Sequence, residues 1–470
     1  MKRLVGMILV LSGLLAFLVL LSAGFYLAAG WSGWGLNGLL NWIFDTEGVN
    51  RAWVYYGAGI ANALTLLFVV AMGSGSLLTV AERKWSAMMQ NRIGANRIRV
   101  LGTPLGGIPF LLADALKMLT KERVEPIGRT RFLFEMGPFM SFAPVFALFA
   151  VLPVGPGIEL AAIVSEAAGL PRGTVDRVAL QIVSLDAGLL YLFALGSLQV
   201  YGTSLAGWAS NNKLALLGGV RATSQMISYE VSLGLSLVGT MMAYRTLRLE
   251  EMVVMQGTAA LGPVPALGML VQPIGFLIFF ASAFAETKRA PFDLPEGESE
   301  IVGYFVEYSG MKFGLMFLAE FVEIVVLSGV ITAVFLGGWQ PIVVPFSALA
   351  GAVGPFWAAS IGAAIFIAKM IVVMWLQLTI RWLLPRFRFD QIQKLCWKIL
   401  LPASLANIFV TGAALLLDPT PSRLMLPTAL GILTLIAIAV ITIATGRAPK
   451  AEAAHGAHGA DHGAAHASGH

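Results

Sequence analysis

Long apolar segments recur along most of the chain and are separated by shorter stretches rich in charged residues, Gly and Pro. A helix needs about twenty apolar residues to cross a lipid bilayer. The chain therefore contains about ten predicted transmembrane helices, at residues 5–30, 53–80, 134–153, 180–207, 223–243, 264–285, 313–336, 356–380, 399–417 and 425–446. This pattern predicts an all-α, polytopic membrane protein.

The composition agrees with a membrane location. The mean hydropathy is +0.80, and only 12% of the 470 residues are charged. So much apolar surface exceeds what a water-soluble core can bury, and lipid must cover part of it. The first helix follows a basic N-terminus, as in a signal peptide, but its apolar run is longer and no clear cleavage site follows. We therefore expect it to be retained.

The net charge of +5 indicates topology rather than nucleic-acid binding. In a soluble protein a basic balance suggests a nucleic-acid partner, whereas in a membrane protein Lys and Arg concentrate in cytoplasmic loops. If the N-terminus is cytoplasmic, 24 of the 31 Lys and Arg residues lie inside, 6 lie outside, and Lys369 lies within a helix. This distribution predicts that both termini are cytoplasmic.

The sequence gives no indication of a metal centre or nucleotide site in the apolar body. It has one cysteine, Cys396, and all five histidines lie in the last sixteen residues. Neither the P-loop pattern nor G-x-G-x-x-G occurs. The low-complexity tail is predicted to be disordered. Its histidines either bind a metal ion or belong to a solvated tail or the remnant of an expression tag.

Carboxylates concentrate in residues 285–310, "AETKRAPFDLPEGESEIVGYFVEYSG". Pro, Phe and Leu alternate with these acids, which favours a fixed, partly buried loop over an ordinary solvated loop. On a helix, the spacing of Glu296, Glu300 and Glu307 would align three carboxylates, and clustered carboxylates raise one another's pKa. The six acids are Glu286, Asp293, Glu296, Glu298, Glu300 and Glu307.

Other ionisable residues fall inside predicted helices. Glu230 lies inside one predicted helix, five residues after Gln225 and nine after Arg221. Glu320 and Glu323 share a face of another helix, and Lys369 lies deep in a third. Each has a simple alternative role as an ion pair that fixes helix packing. Because every charge in the membrane costs roughly 2.5–3.5 kcal/mol, several in series favour an ion or proton route.

The predicted cytoplasmic loop after residue 80 is basic. Asp114 and Lys117 are three residues apart and would pair on a helix face. The basic residues either bind anionic lipid headgroups or, beside neighbouring apolar residues, frame a slot for a lipid-like ligand such as a quinone. Composition slightly favours the lipid surface.

Five motifs occur in the order found in one known family. They are "AERKWSAMMQNRIGANRI", "LLADALKMLTKE", "GWASNNKLALLGGVRATSQMISYE", "FAETKRAPFDLPEGESEIVGYFVEYSGMKFGLMFLAEF" and "RWLLPRFRFDQIQKLCWKILLP". The chain resembles the H subunit of bacterial respiratory complex I, the counterpart of mitochondrial NADH dehydrogenase subunit 1. The resemblance covers residues 52–417 and eight of the predicted helices.

This resemblance implies an eight-helix core that forms much of a quinone cavity and begins an acidic path to proton-pumping partners. The residues 286–307 resemble the acidic loop at that cavity, and Glu230 and Glu320 resemble the buried glutamates that continue the path. Positions that resemble the cavity wall and entrance are Arg83, Arg92, Asp114, Lys117, Arg221, Phe292, Arg381 and Arg386.

The chain also departs from the family pattern. Ala95 stands where Pro is usual, and Lys288 stands where Asn is common. One extra helix is predicted at each end. The expected division is an N-terminal helix and outside loop (1–51), the family-like core (52–417), a C-terminal helix (418–447) and the His-rich tail (448–470).

The implied function is that of a subunit of a proton-translocating NADH:quinone oxidoreductase in the bacterial inner membrane. The chain itself would hold no cofactor. Quinone would be the substrate, and partner subunits would hold FMN and iron-sulfur clusters. The expected partners are peripheral-arm subunits, small membrane subunits, antiporter-like subunits and lipid. The alternatives are the anchor of a membrane-bound hydrogenase or formate hydrogenlyase, an independent secondary transporter, and a passive scaffold.

Overall fold

A computed structural model describes residues 72–94, 97–98, 107, 109–158, 178–261, 264–295, 303–341, 346–418 and 424–446. Several predictions fall outside these residues. They concern the N-terminal helix at 5–30, the acids Glu296, Glu298 and Glu300, the substitution at Ala95, and the His-rich tail.

The described residues form helices, with two pairs of short strands near helix ends. The helices are α1 (Gly73–Met89), α2 (Pro109–Thr120), α3 (Arg131–Phe149), α4 (Gly188–Ala209), α5 (Lys213–Tyr244), α6 (Leu249–Gln256), α7 (Gly268–Val271), α8 (Pro273–Glu286), α9 (Met311–Phe335), α10 (Phe346–Val353), α11 (Pro355–Leu383), α12 (Phe389–Leu395), α13 (Leu401–Leu417) and α14 (Met425–Gly446). A π-helical turn, Cys396–Leu400, joins α12 to α13. The antiparallel strand pairs are β1 (Gly155–Ile158) with β2 (Val178–Leu180) and β3 (Ala259–Leu261) with β4 (Val264–Pro265).

Six helical segments of the described chain are long and apolar enough to cross a membrane. They are Arg131–Phe149, Gly188–Ala209, Lys213–Tyr244, Met311–Phe335, Trp357–Leu383 and Phe389–Leu417. Two shorter apolar helices, Pro273–Glu286 and Met425–Ile441, accompany them. The prediction of an all-α, polytopic membrane protein is confirmed.

Some predicted boundaries are wrong for local reasons. The helix predicted at 180–207 begins at Gly188, because Val178–Leu180 pairs with β1 instead. The helix predicted at 223–243 begins ten residues earlier, where the Asn212 side chain accepts a hydrogen bond from the Leu214 N–H at 3.0 Å and caps α5. The segment predicted at 264–285 is divided between β4, α7 and α8.

Helix α9 is the centre of the fold. From Ala319 to Phe335 almost every side chain is buried, and α1, α3, α6 and α11 pack around this helix. Apart from Glu320, Glu323, Ser328 and Thr332 these residues are apolar, as expected for a helix that is buried on all sides. Elsewhere small residues bring helices together: a Cβ added to Gly207 of α4 or Gly219 of α5 would lie within 3.2 Å of the other's Cα.

Gln256, at the end of α6, joins three segments near the C-terminal end of α9. Its side-chain oxygen accepts hydrogen bonds from the Gly268 N–H at 3.0 Å and the Gly337 N–H at 2.9 Å. Its side-chain nitrogen donates to the Ala333 carbonyl at 2.7 Å. Since unpaired buried polar groups are costly, these bonds fix the connections around α9.

Lys312 fixes the opposite end of α9 to the segment before α3. Its ammonium group donates to Glu125 at 2.7 Å and also pairs with Glu135, and it lies 5.3 Å from the centre of the Phe134 ring. The hydrogen bond from Lys312, followed by the charges of Lys312 and Arg129, lowers the pKa of Glu125.

The C-terminal helix α14 packs against α7, α8 and α13. Its closest approach is at Gly431, where an added Cβ would lie 1.7 Å from the Leu270 carbonyl oxygen. Only a residue without a side chain fits there. The last helix is therefore docked on the core.

We expect Gly431→Ala to lower the unfolding temperature of the detergent-purified protein. The methyl group would force α14 away from α7, at a cost of about 1–3 kcal/mol. Gly234→Ala in α5 is the matched control, since no described atom lies within 4 Å of a Cβ added there. An unfolding temperature for Gly431→Ala equal to that of Gly234→Ala would contradict the close packing of α14.

Candidate functional site

The residues after α8 are buried, as the sequence predicted for this acidic segment. Lys288 is 2% exposed and Arg289 is 5% exposed. The Gln225 side chain of α5 donates to the Ala285 carbonyl at 2.6 Å and to the Phe292 carbonyl at 2.8 Å. These bonds attach both ends of the turn to one helix.

Phe292 lies in an apolar cluster. Its ring contacts Tyr229, Phe284 and Phe387, with ring centres 5.6, 6.2 and 5.6 Å away. The backbone beside it is also held, because the Phe387 N–H donates to the Pro291 carbonyl at 3.0 Å. This packing holds the turn between α5, α8 and the start of α12.

Arg289 connects carboxylates from two helices. Its guanidinium lies 3.8 Å from Glu82 of α1 and 3.3 Å from Glu320 of α9, and it is 4.3 Å from the centre of the Phe321 ring. Arg381 of α11 pairs with Glu82 as well. The turn after α8 and the C-terminal end of α11 therefore meet the middle of α1 and the first half of α9 in one buried group of charges.

Lys288, the neighbour of Arg289, faces a different carboxylate. Its ammonium lies 3.8 Å from Oε2 of Glu323, and the Gln199 side chain of α4 donates to the same oxygen at 2.7 Å. Glu323 is 1% exposed. Since an isolated buried carboxylate is very unfavourable, this pairing explains how Glu323 is accommodated in α9.

A cavity of about 50 Å³ lies beside this pair. Its polar lining consists of Gln199, Glu230, Glu286 and Glu323, and the remaining lining is apolar. Ser197 of α4 donates a hydrogen bond to Glu230. Oε2 of Glu286 and Oε1 of Glu323 are buried and have no hydrogen-bond partner among the described residues. Because a water needs roughly 10–15 Å³ of such volume and polar partners, the cavity has space for a few waters.

Together these residues form a buried polar network that runs from Glu82 in α1 and Arg381 near the end of α11 to Glu230 in α5. Three of the predicted path residues, Glu230, Glu286 and Glu320, belong to this network, and other polar side chains of the network lie between them. The full network comprises Glu82, Arg381, Arg289, Glu320, Lys288, Glu323, Gln199, Glu286 and Glu230.

Two geometric predictions for the site are wrong. Glu307 does not lie on a helix, because the residues from Gly303 to Gly310 form turns, and its carboxylate accepts a hydrogen bond from Asn212 at 2.6 Å. Asp114 does not pair with Lys117 on its own helix. It faces Arg83 of α1 at 2.7 Å, because α1 extends to Met89 and presents that guanidinium.

The remaining predicted cavity residues are mostly exposed. Arg92, Lys117 and Arg386 are exposed, and Arg221 is half-buried on α5. Asp293 lies in the turn that Gln225 holds. A common quinone cavity for these residues stays a prediction.

Lys369 is accounted for by local structure. Its ammonium donates to the carbonyls of Leu336, Gly338 and Gln340 at 2.6, 3.0 and 2.7 Å. Leu336 ends α9, so the charge caps the negative end of that helix dipole. Lys369 belongs to helix packing rather than to the buried polar network.

Three network residues were missed by sequence reasoning. Both Glu82 and Arg289 were predicted to lie in loops. Tertiary packing decides that α1 extends past Glu82 and that the turn containing Arg289 is buried, and a sequence pattern does not contain this information. Gln199 had a local signal, a single amide in the apolar run "LGSLQVYG". A polar side chain in such a run usually faces a partner within the protein.

A family model described as NADH dehydrogenase matches residues 61–412. This match covers three quarters of the chain and includes the whole buried polar network. The chain belongs to the NADH dehydrogenase family. Helix α14 lies beyond the end of the match.

Several similar proteins are named as the H subunit of NADH-quinone oxidoreductase. One from Geobacter sulfurreducens is 40% identical over 77% of this chain and 96% of its own length. One from Rhodospirillum centenum is 39% identical over 77% and 96%, and one from Cytophaga hutchinsonii is 38% identical over 76% and 96%. The similarity therefore spans nearly the full length of these family members.

We expect Lys369→Met to destabilise this family member without a direct effect on the polar network. Three carbonyls at the end of α9 would lose a charged donor, at a cost of about 2 kcal/mol. The measurement is the unfolding temperature in detergent, compared with Lys394→Met, which removes an exposed lysine. Equal temperatures for the two variants would refute the capping role.

Proposed function

We propose that the chain is a membrane subunit of a proton-translocating NADH:quinone oxidoreductase. It forms part of the quinone cavity and the acidic path that couples quinone reduction to proton pumping. The observation in support is the buried polar network, which connects Glu82 of α1 to Glu230 of α5 in a chain of this family. Quinone is the substrate, and the FMN and iron-sulfur clusters belong to partner subunits.

The path begins in the middle of α1 and at the C-terminal end of α11. Reduction of a quinone to a quinol consumes two electrons and two protons, and negative charge arises on the quinone before the protons arrive. Arg381 and Arg83 provide positive charge at these positions, each beside a carboxylate. When a carboxylate at one of these positions gains or loses a proton, the electrostatic attraction between that carboxylate and its arginine changes.

Arg289 passes that change to the next helix. It lies between Glu82 and Glu320, at ion-pair distances from both. When Glu82 takes up a proton, its attraction for Arg289 weakens and the guanidinium binds Glu320 more strongly. Protonation of Glu82 in α1 thereby changes the electrostatic environment of Glu320 inside α9.

The cavity continues the path towards α5. Waters between Glu286 and Glu230 would bond the Glu286 oxygen that has no partner among the described residues and allow a proton to move between the two carboxyl groups. From Glu230 this change of charge or protonation passes to antiporter-like partner subunits. The other partners are peripheral-arm subunits and small membrane subunits, in a bacterial plasma membrane with both termini of this chain cytoplasmic.

The alternatives have less support. A hydrogenase or formate hydrogenlyase anchor is not favoured, since the similar proteins are named NADH-quinone oxidoreductase subunits. An independent secondary transporter would move ions without redox partners. A passive scaffold does not require a cavity lined by three carboxyl groups in the membrane.

We expect Glu286→Gln and Glu320→Gln to lower NADH-driven quinone reduction and proton pumping in the purified complex. Each substitution removes a proton-carrying group, so both rates should fall about tenfold or more. The measurements are NADH oxidation with added quinone and acidification of proteoliposomes.

Glu251→Gln serves as the control, because it removes an exposed carboxylate at the start of α6 whose ion pair contributes little. Its rates should equal those of the unmodified complex. The proposal is refuted if Glu286→Gln and Glu320→Gln also leave both rates unchanged, or if the chain copurifies with hydrogenase subunits instead of an NADH-oxidising flavin subunit.

A further inference from the structure

The charges of the buried polar network do not balance. It contains five carboxyl groups and three basic groups, and each basic group has a nearest acid: Arg381 with Glu82, Arg289 with Glu320, and Lys288 with Glu323. The carboxyl groups left without a cation of their own are Glu230 and Glu286. Both line the cavity, and Glu323 lines the cavity from a third side.

Lys288 and Glu323 are close enough for an ion pair, but their separation is too long for a hydrogen bond. The separation of 3.8 Å is within ion-pair range and exceeds an ordinary hydrogen bond, which is about 2.7–3.2 Å. Gln199 holds one oxygen of Glu323, and the other oxygen is buried without a partner among the described residues. The carboxyl group is therefore fixed in position while one of its oxygens is available to a cavity water.

We propose that Glu323 is a further proton-carrying residue of the path and that Lys288 is a counter-ion that alternates between Glu323 and Glu286. This inference rests on the proposed function and deepens it. A proton leaves the carboxyl group of Glu286, passes through a cavity water, and binds the available oxygen of Glu323. Lys288 keeps its own proton and moves from the neutralised Glu323 to the new Glu286 anion, so the total charge is unchanged.

The surroundings favour this exchange. The groups that act on Glu323 are Lys288, Gln199, Glu320 and Arg289, and those that act on Glu286 are Glu323, Glu230 and Lys288. Lys288 is common to both sets and lies two residues beyond Glu286, at the end of α8. Because two nearby carboxylates disfavour simultaneous ionisation, a single cation that interacts with both favours the state in which they share one proton.

The test is a double-mutant cycle in the assembled complex, with Lys288→Met, Glu323→Gln and the double variant. Lys288→Met leaves the cavity carboxylates without a cation, so they retain protons to higher pH and the pH profile of quinone reduction moves towards alkaline values. Glu323→Gln leaves Lys288 bound to Glu286, which moves the profile towards acidic values. Each single variant should reduce coupled pumping by about tenfold or more.

The double variant restores the charge balance but lacks the second proton site. Its rate should therefore exceed the product of the two single effects, and its pH profile should return towards that of the unmodified complex. Lys288→Arg keeps the charge and should retain activity. The exposed pair Lys394 and Asp390, changed to Met and Asn, is the matched control and should change neither rates nor profile.

Infrared difference spectra provide a second readout. A protonated-carboxyl band that appears on quinone reduction should be absent from Glu323→Gln. The inference is overturned if that band persists, or if the single variants assemble and show an unchanged pH profile. If these variants behave normally while Glu286→Gln is inactive, only this inference fails. If the unmodified complex does not reduce quinone, the proposed function fails.

Discussion

Arg289 is the charge around which this fold is arranged. Its guanidinium holds Glu82 of α1 and Glu320 of α9 together, and it follows directly after Lys288, which faces Glu323. A buried cation without these carboxylates, or the carboxylates without the cation, would be strongly destabilising. The turn after α8 must therefore be buried, and α1, α9 and α11 must pack around it. The packing of Gln225 and Phe292 around that turn satisfies the same requirement.

The sequence predicted the parts of this arrangement that depend on local pattern. Apolar runs located the membrane helices, and the alternation of acids with Pro and apolar residues predicted that the turn after Glu286 is buried. The helix starts at Lys213 and Gly188 were missed, because an Asn cap and a strand pair override the hydropathy pattern there. A hydropathy profile alone predicts neither the capping side chain nor the strand pair.

The partners of the charged residues were the least predictable feature. Asp114 was assigned to Lys117 by spacing, whereas it binds Arg83 from another helix. Glu82 was assigned to a loop because the apolar run ends near residue 80, whereas α1 continues to Met89. Ion pairs between helices depend on crossing geometry, which one-dimensional periodicity does not contain. The resemblance to a known family predicted Glu230, Glu286 and Glu320 as path residues, and this role stays a prediction; the resemblance did not predict the groups that lie between them.

The carbonyl cap made by Lys369 has a mechanical consequence. Together with Gln256 it attaches the C-terminal end of α9 through short hydrogen bonds of 2.6–3.0 Å. The ion pairs of Glu320 and Glu323 in the other half of the helix are longer, at 3.3 and 3.8 Å. Because Lys312 also attaches the first turn of α9 to Glu125 at 2.7 Å, the helix is held by short bonds at both ends, and its longer ion pairs lie between them. A change of charge at Glu320 or Glu323 would therefore act on side chains between two fixed ends and would not require α9 to move as a whole.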